Sequence, residues 1–174
     1  MRSVRPRGPR SFRLFGYGLT VLIAAALAWV LFDRAERLAV VTEHLSFDLT
    51  VQALRHAVAI RALEAAAEPT LAEPTLADPD RANALAWLEW PAGGVRYLGA
   101  RSGVDPATIP GGNWYFDLDA GLMVYRVRFA DGFRTPLAGP PRIRYAVRSD
   151  RQGLGGTALR LVLVEPYTWE IDRR

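Results

Sequence analysis

Two histidines, His44 and His56, stand twelve residues apart in the chain. On a helix that spacing is about 18 Å of rise, too far for one metal ion to join them. Each reads as a solvated helix residue. Asp117-Leu118-Asp119-Ala120-Gly121 sets alternate carboxylates before a glycine, like the first half of a calcium loop. The further ligands of such a loop do not follow, and the segment reads as a turn. The 174 residues contain no cysteine, which excludes thiolate nucleophiles, cysteine metal sites and disulfides. All 22 basic residues are arginine, so a lysine Schiff base or a phosphate-loop lysine is excluded as well. No H-E-x-x-H, phosphate-loop or G-x-S-x-G pattern occurs. The reading is a protein that is not an enzyme, with no metal, no cofactor and no small-molecule substrate.

Binding chemistry is better represented. Arg126, Arg128, Arg142, Arg144 and Arg148 alternate with apolar residues on two expected strands. If those strands are neighbours, one sheet face is strongly basic. Such a face is either solvated or suited to an acidic partner, a neighbouring subunit or a phospholipid surface. Trp87, Trp90, Trp114 and Trp169 could stack on a sugar or a base. However, Trp114-Tyr115-Phe116 alternates across a strand, so at least one of these rings belongs to the core. Trp90 and the five arginines form the candidate partner surface. A membrane-tethered module that binds glycan or lipid is the alternative function they allow.

The elements that position these residues begin with charge. The chain carries +4 overall, with pI near 9.9. Arg2, Arg5, Arg7, Arg10 and Arg13 lie in the first thirteen residues with no acid among them. Without those five, 17 arginines face 18 acids. The basic excess is therefore a cytoplasmic tail at 1–13, and nucleic acid is not an expected partner. Residues 14–32, LFGYGLTVLIAAALAWVLF, carry no charge and span about 28 Å as a helix, close to the roughly 30 Å hydrocarbon core. Flanking arginines before and Asp33 after place the N-terminus in the cytoplasm and the rest across the membrane. Gly16, Gly18, Ala24, Ala25 and Ala26 are small enough for another helix to approach closely. Ala26-Leu27-Ala28 also fits a signal cleavage site. Cleavage there would leave Trp29 to Phe32 as a bare apolar terminus, so an anchor is preferred. The expected location is the bacterial inner membrane, single-pass, with a periplasmic C-terminal domain.

An amphipathic helix is expected over 33–67. Leu38, Val41, Leu45, Leu49, Ala53, Ala57, Ile60 and Leu63 form one apolar stripe at helical period. Val40, Phe47, Val51, Leu54 and Val58 form a second. Apolar striping of this kind is expected to pack on the downstream domain, or else on helices of other subunits, and with two stripes available both can hold. Residues 68–80, EPTLAEPTLADPD, repeat proline every five residues and read as an extended linker. Asp80 is expected to cap a short helix over 81–89. The domain at 81–174 then turns to strand patterns. Strands are expected over 95–98, 114–116, 122–129, 143–148, 158–164 and 167–171, with turns at 119–121, 131–132 and 149–156. The central strand is expected at 158–164. The fold class expected is α+β, a long transmembrane-plus-amphipathic helix packed on a C-terminal antiparallel sheet.

That layout resembles the type IV pilins and type II secretion pseudopilins. Trp114-Tyr115-Phe116-Asp117, followed by Gly121-Leu122-Met123-Val124-Tyr125-Arg126-Val127, is similar to a run in minor pilin-like proteins of mannose-sensitive haemagglutinin type pilus systems. The resemblance implies a pilin-like fold and association with pilins, pseudopilins and inner-membrane assembly proteins. Family members carry a glycine cut by a prepilin peptidase and a glutamate at the fifth mature position. Neither Gly16 nor Gly18 is followed by that glutamate. The resemblance accordingly implies an uncleaved accessory component rather than a major fibre subunit.

Overall fold

The computed structural model describes residues 10–67, 79–88, 96–152 and 156–170. The chain divides into two compact units, residues 1–39 and 40–174. Helix α1 runs Arg10–Ala67. It contains no proline and stops two residues before Pro69, whose ring disfavours helical backbone ahead of it. In the first unit the large apolar side chains between Tyr17 and Phe32 are exposed, and the helix is long and apolar enough to cross a membrane.

In the second unit a five-stranded sheet is ordered β1-β2-β3-β5-β6. Its strands are β1 Arg96–Arg101, β2 Asn113–Asp117, β3 Leu122–Arg126, β5 Arg142–Gln152 and β6 Gly156–Leu163. β4, Phe133–Arg134, and β7, Thr168–Trp169, pair separately as a two-stranded ribbon. The fold is thus α+β with a sheet that is mostly antiparallel. One pairing departs from expectation, since β1 runs parallel to β2. Its register shifts between Tyr97 and Ala100, around Gly99 at positive φ. A parallel neighbour needs a crossover. Here residues 102–112 supply it, with a 3₁₀ turn at Pro106–Thr108 capped by the Asp105 carboxylate.

The β2–β3 hairpin forms where expected. Asp117 Oδ1 accepts from the backbone N–H groups of Asp119 and Ala120, each at 3.0 Å. Gly121 closes the turn at φ +66°, a conformation that L side chains resist. Gly132 does similar work at the ribbon, where a Cβ would lie 2.3 Å from the Glu170 carbonyl oxygen.

Alternation along the strands sorts the core into two layers. Trp114, Phe116, Met123, Tyr125, Ile143, Tyr145 and Val147 face the helix, while Ile109, Tyr115, Leu122, Val124 and Ala146 cluster on the other face under the crossover. The W-Y-F triplet is therefore buried on both sides. The helix contributes Phe47, Val51, Leu54 and Val58, the second of the two apolar stripes. Phe47 sits among five rings, with centroids 5.0 Å from Tyr125, 5.7 Å from Trp114, 5.8 Å from Trp169, 6.2 Å from Tyr167 and 6.5 Å from Tyr145. Of the two stripes it is the second that packs on the domain, and the first stays uncovered. Val41, Leu45, Leu49, Ile60 and Leu63 are each about half exposed or more, from 49% to 72%. The second stripe wins because it alone carries a large ring in phase with Glu43 and Thr50, whose polar atoms find partners when buried.

Other expectations need correction. Asp80 caps no helix, because residues 79–88 form two 3₁₀ turns, Pro79–Arg81 and Ala84–Trp87. The apolar run at 158–164 is an edge strand, not a central one, with Val162, Leu163 and Val164 exposed. Ser149 to Gln152 belong to β5 rather than to a loop. The linker at 68–78 lies outside the described residues.

Phe47→Ala should destabilise the sheet unit by about 3–5 kcal/mol, the usual cost of emptying an aromatic core site. Leu49→Ala, two residues away on the bare stripe, should change stability by less than about 0.5 kcal/mol. Urea unfolding followed by tryptophan fluorescence measures both.

Candidate functional site

Two surfaces merit comparison, the arginine-bearing outer face of the sheet and the uncovered stripe of α1. A third feature, a buried carboxylate, ties α1 to Tyr125 and to the segment just after β3.

Arg126, Arg142, Arg144 and Arg148 lie on strands, and the condition left open by the sequence is met. β3 and β5 are neighbours, and Arg126 lies directly opposite Arg142. Arg144, one step along β5, faces Val124, and Arg148 faces Arg160 of β6. These side chains do not simply project into solvent. Arg126 donates from Nε to the Pro106 carbonyl at 2.9 Å and from Nη1 to the Pro141 carbonyl. Arg142 donates from Nη1 to the carbonyls of Ala138, at 2.8 Å, and Pro140, at 3.1 Å. Arg144 binds Glu165 through two contacts, Nε to Oε2 at 2.9 Å and Nη2 to Oε1. Arg148 reaches the Asp80 carbonyl at 3.1 Å. Arg128 lies off β3, with its guanidinium 5.1 Å from the Phe129 ring centroid. Hydrogen bonding by Glu165 raises the pKa of Arg144, whereas desolvation, and then Arg142, lower that of Arg126. The uniformly solvated basic face is thus replaced by anchored guanidiniums, of which Arg144 alone meets a carboxylate among the described residues.

The described tryptophans of the C-terminal unit do not form a stacking platform. Trp114 is fully buried and Trp169 nearly so. Trp87 is half-buried with Arg61 5.8 Å over its ring, and Trp90 lies outside the described residues. Among the described residues no three histidine or acidic side chains gather as metal ligands. The Asp117–Gly121 segment is a turn. Its Asp119 carboxylate accepts from Ser102 Oγ and, at 2.6 Å, from the Gly103 N–H. Those two bonds, Ser102 foremost, hold Asp119 below the usual aspartate range. Asp80 is lowered likewise, chiefly by the Ser149 N–H. Of the small residues expected at a helix contact, Gly18 has open space around it and Ala24, Ala25 and Ala26 are exposed. Gly16 lies within α1, and the surroundings of its position fall outside the described side chains.

Glu43 was not singled out by its residue type. It is 9% exposed. Its Oε1 accepts from the Tyr125 hydroxyl at 2.9 Å and from the Arg128 N–H at 2.7 Å, while Oε2 accepts from the Phe129 N–H at 2.8 Å. A carboxylate so bonded tolerates burial that it would otherwise resist. Burial, and then the Glu43 charge, push the Tyr125 phenol up, so it stays a donor. The available signal was phase, since Glu43 stands four residues before Phe47 on the second stripe. The arrangement positions side chains and satisfies donors; it joins no nucleophile to a base.

Comparison with protein-family models, with curated proteins and with solved structures returns no match.

Glu43→Ala should cost about 3 kcal/mol or more, because one hydroxyl and two N–H groups lose their acceptor in a buried site. Urea unfolding checks this. Asp80 and Asp119 should lose their bonds on acidification. A depressed folded pKa contributes stability above the unfolded value, and that contribution is lost as pH falls through the lower folded one. The amide NMR shifts of Gly103 and Ser149 should therefore stay constant to below the ordinary aspartate range and then move. Movement centred above that range would overturn the assignment.

Proposed function

We propose that this chain is a minor pilin-like component that acts by association, anchored in the bacterial inner membrane through residues 14–32. Its place would be in a type IV, mannose-sensitive haemagglutinin type pilus, or in a type II secretion-like assembly. The observation that carries this reading is the half-covered helix. The sheet buries one apolar stripe of α1 and leaves Val41, Leu45, Leu49, Ile60 and Leu63 bare. Apolar residues at three- and four-residue spacing are what a second helix packs against. The proposed occupant is the helix of a neighbouring pilin or pseudopilin subunit.

Two further points support it. Of the residues that carry the pilin resemblance, Trp114, Phe116 and Tyr125 belong to the core layer under the helix, Tyr115 to the cluster on the other face, and Asp117 and Gly121 to the hairpin turn. A motif whose residues serve packing and turn formation is consistent with a role through the fold itself, and association is the role proposed. The glycan-binding alternative is weakened because Trp114 and Trp169 are inside.

The natural absence of cysteine gives a clean test. Leu45→Cys, placed in the full chain in its native membranes, should cross-link to a pilin, a pseudopilin or an inner-membrane assembly protein. Leu45→Glu should abolish their co-purification while the near-ultraviolet circular dichroism of the sheet unit stays unchanged. If neither cross-link nor co-purification yields such a partner, the proposal fails.

A further inference from the structure

One end of the sheet's outer face carries a register row that the association reading does not use. Arg96 of β1 pairs with Asn113 of β2, Asn113 with Arg126 of β3, and Arg126 with Arg142 of β5. Directly opposed like charges on neighbouring strands repel each other. Nothing described here neutralises them. Among the described residues neither Arg126 nor Arg142 bonds to a carboxylate, and the hydrogen bonds they make go to neutral carbonyl oxygens. One residue farther along the face, Arg144 shows the contrast, with Glu165 seated across its fork.

The two guanidiniums are also held in place beforehand. Three of the four carbonyls that receive them belong to prolines, Pro106, Pro140 and Pro141, whose φ is locked by the ring. Pro140 and Pro141 are consecutive, so a single stiff segment fixes both side chains. Pro141 is itself tied to β3, since its carbonyl also accepts from the Val127 N–H at 3.1 Å. The bonds to the carbonyls use Nε and Nη1 of Arg126 and Nη1 of Arg142. The Nη2 groups of both make no hydrogen bond among the described residues, which leaves donors for an outside acceptor.

We propose that Arg126 and Arg142 form a binding site for one phosphate group. Two fixed positive charges with spare N–H donors suit an oxyanion that carries more than one negative charge and more than two acceptor atoms. A phosphate monoester has both, whereas a lone carboxylate would leave one arginine uncompensated. A free phosphate and the terminal monoester phosphate of a lipid headgroup, as in a phosphatidic acid, present the same chemistry to this pair. The site is independent of the helix stripe, and its failure would leave the association reading intact.

The test uses the full chain purified in a maltoside detergent, which carries no phosphate, at low salt. Inorganic phosphate and glycerol 3-phosphate are titrated separately by isothermal calorimetry. Saturable binding of either is expected, weakened at least tenfold in Arg142→Gln and unchanged in Arg148→Gln, whose arginine sits farther along the same strand. Tighter binding of glycerol 3-phosphate than of inorganic phosphate assigns the headgroup as the source, and the reverse order assigns the free ion. Acetate gives a readout that needs no variant: in the unaltered chain it should bind at least tenfold more weakly than phosphate. The proposal is overturned by absence of saturable binding, by equal affinity for acetate, or by equal loss in the two variants.

Discussion

A single buried carboxylate sets the relation between helix and sheet in the C-terminal unit. Apolar packing alone lets a helix slide or rotate on a sheet at small cost, because dispersion contacts are individually weak and non-directional. Glu43 removes that freedom. Its two oxygens take consecutive N–H groups at the end of β3 together with the hydroxyl of Tyr125. Hydrogen bonds to an ionised acceptor are short, strong and directional. They also prevent the Arg128 and Phe129 amides from becoming orphans where β3 stops pairing with its neighbours. With Glu43 fixed, Phe47 falls one turn further along, into the ring cluster, and Leu54 and Val58 follow beneath it.

The two faces of the unit follow from that choice of phase. A helix that presents Glu43 and Phe47 inward must present Leu45 and Leu49 outward, since these lie roughly half a turn away. The sheet is likewise used on both sides, with the helix against one face and the crossover segment against the other. On that outer face the cluster of Ile109, Tyr115, Leu122, Val124 and Ala146 is bordered by Arg126, Arg142, Arg144 and Arg148. The guanidiniums of Arg126 and Arg142 donate to carbonyls of the neighbouring loops.

Parts of this were legible in the sequence. An uncharged nineteen-residue run without proline fixes a helix, and Asp117 with Gly121 fixes a hairpin, because both signals are local. Alternation put Arg126 and Arg142 on strands, and whether those strands are neighbours, as β3 and β5 prove to be, was left open by the pattern. The selected stripe was not legible. Both are apolar at the same period, and the deciding partners of Glu43 and Phe47 lie in strands far along the chain. Direction of pairing was equally hidden, since the pattern of β1 is the same whether it runs with or against β2. The run at 158–164 misled for a related reason: the apolar density that marks a central strand also occurs on an edge strand covered on one face only. For the arginines, sequence gave position but not engagement, which depends on where proline turns aim their carbonyls.

The bonds at Glu43 join residues 82 to 86 apart in the chain, with the helix made first. A ribosome adding about 5–20 residues each second needs roughly 4–17 seconds to cover that interval. Throughout it, the stripe of Phe47, Val51, Leu54 and Val58 lacks its sheet and both stripes are bare, and the carboxylate lacks its protein donors. The order of synthesis therefore creates a defined period in which the stretch from Val40 to Ala67 is a target for holding factors and for premature helix pairing. Docking of the sheet, whose layer on the helix also draws Ile143, Tyr145 and Val147 from β5, ends that period and is also the event that selects which stripe remains open to others.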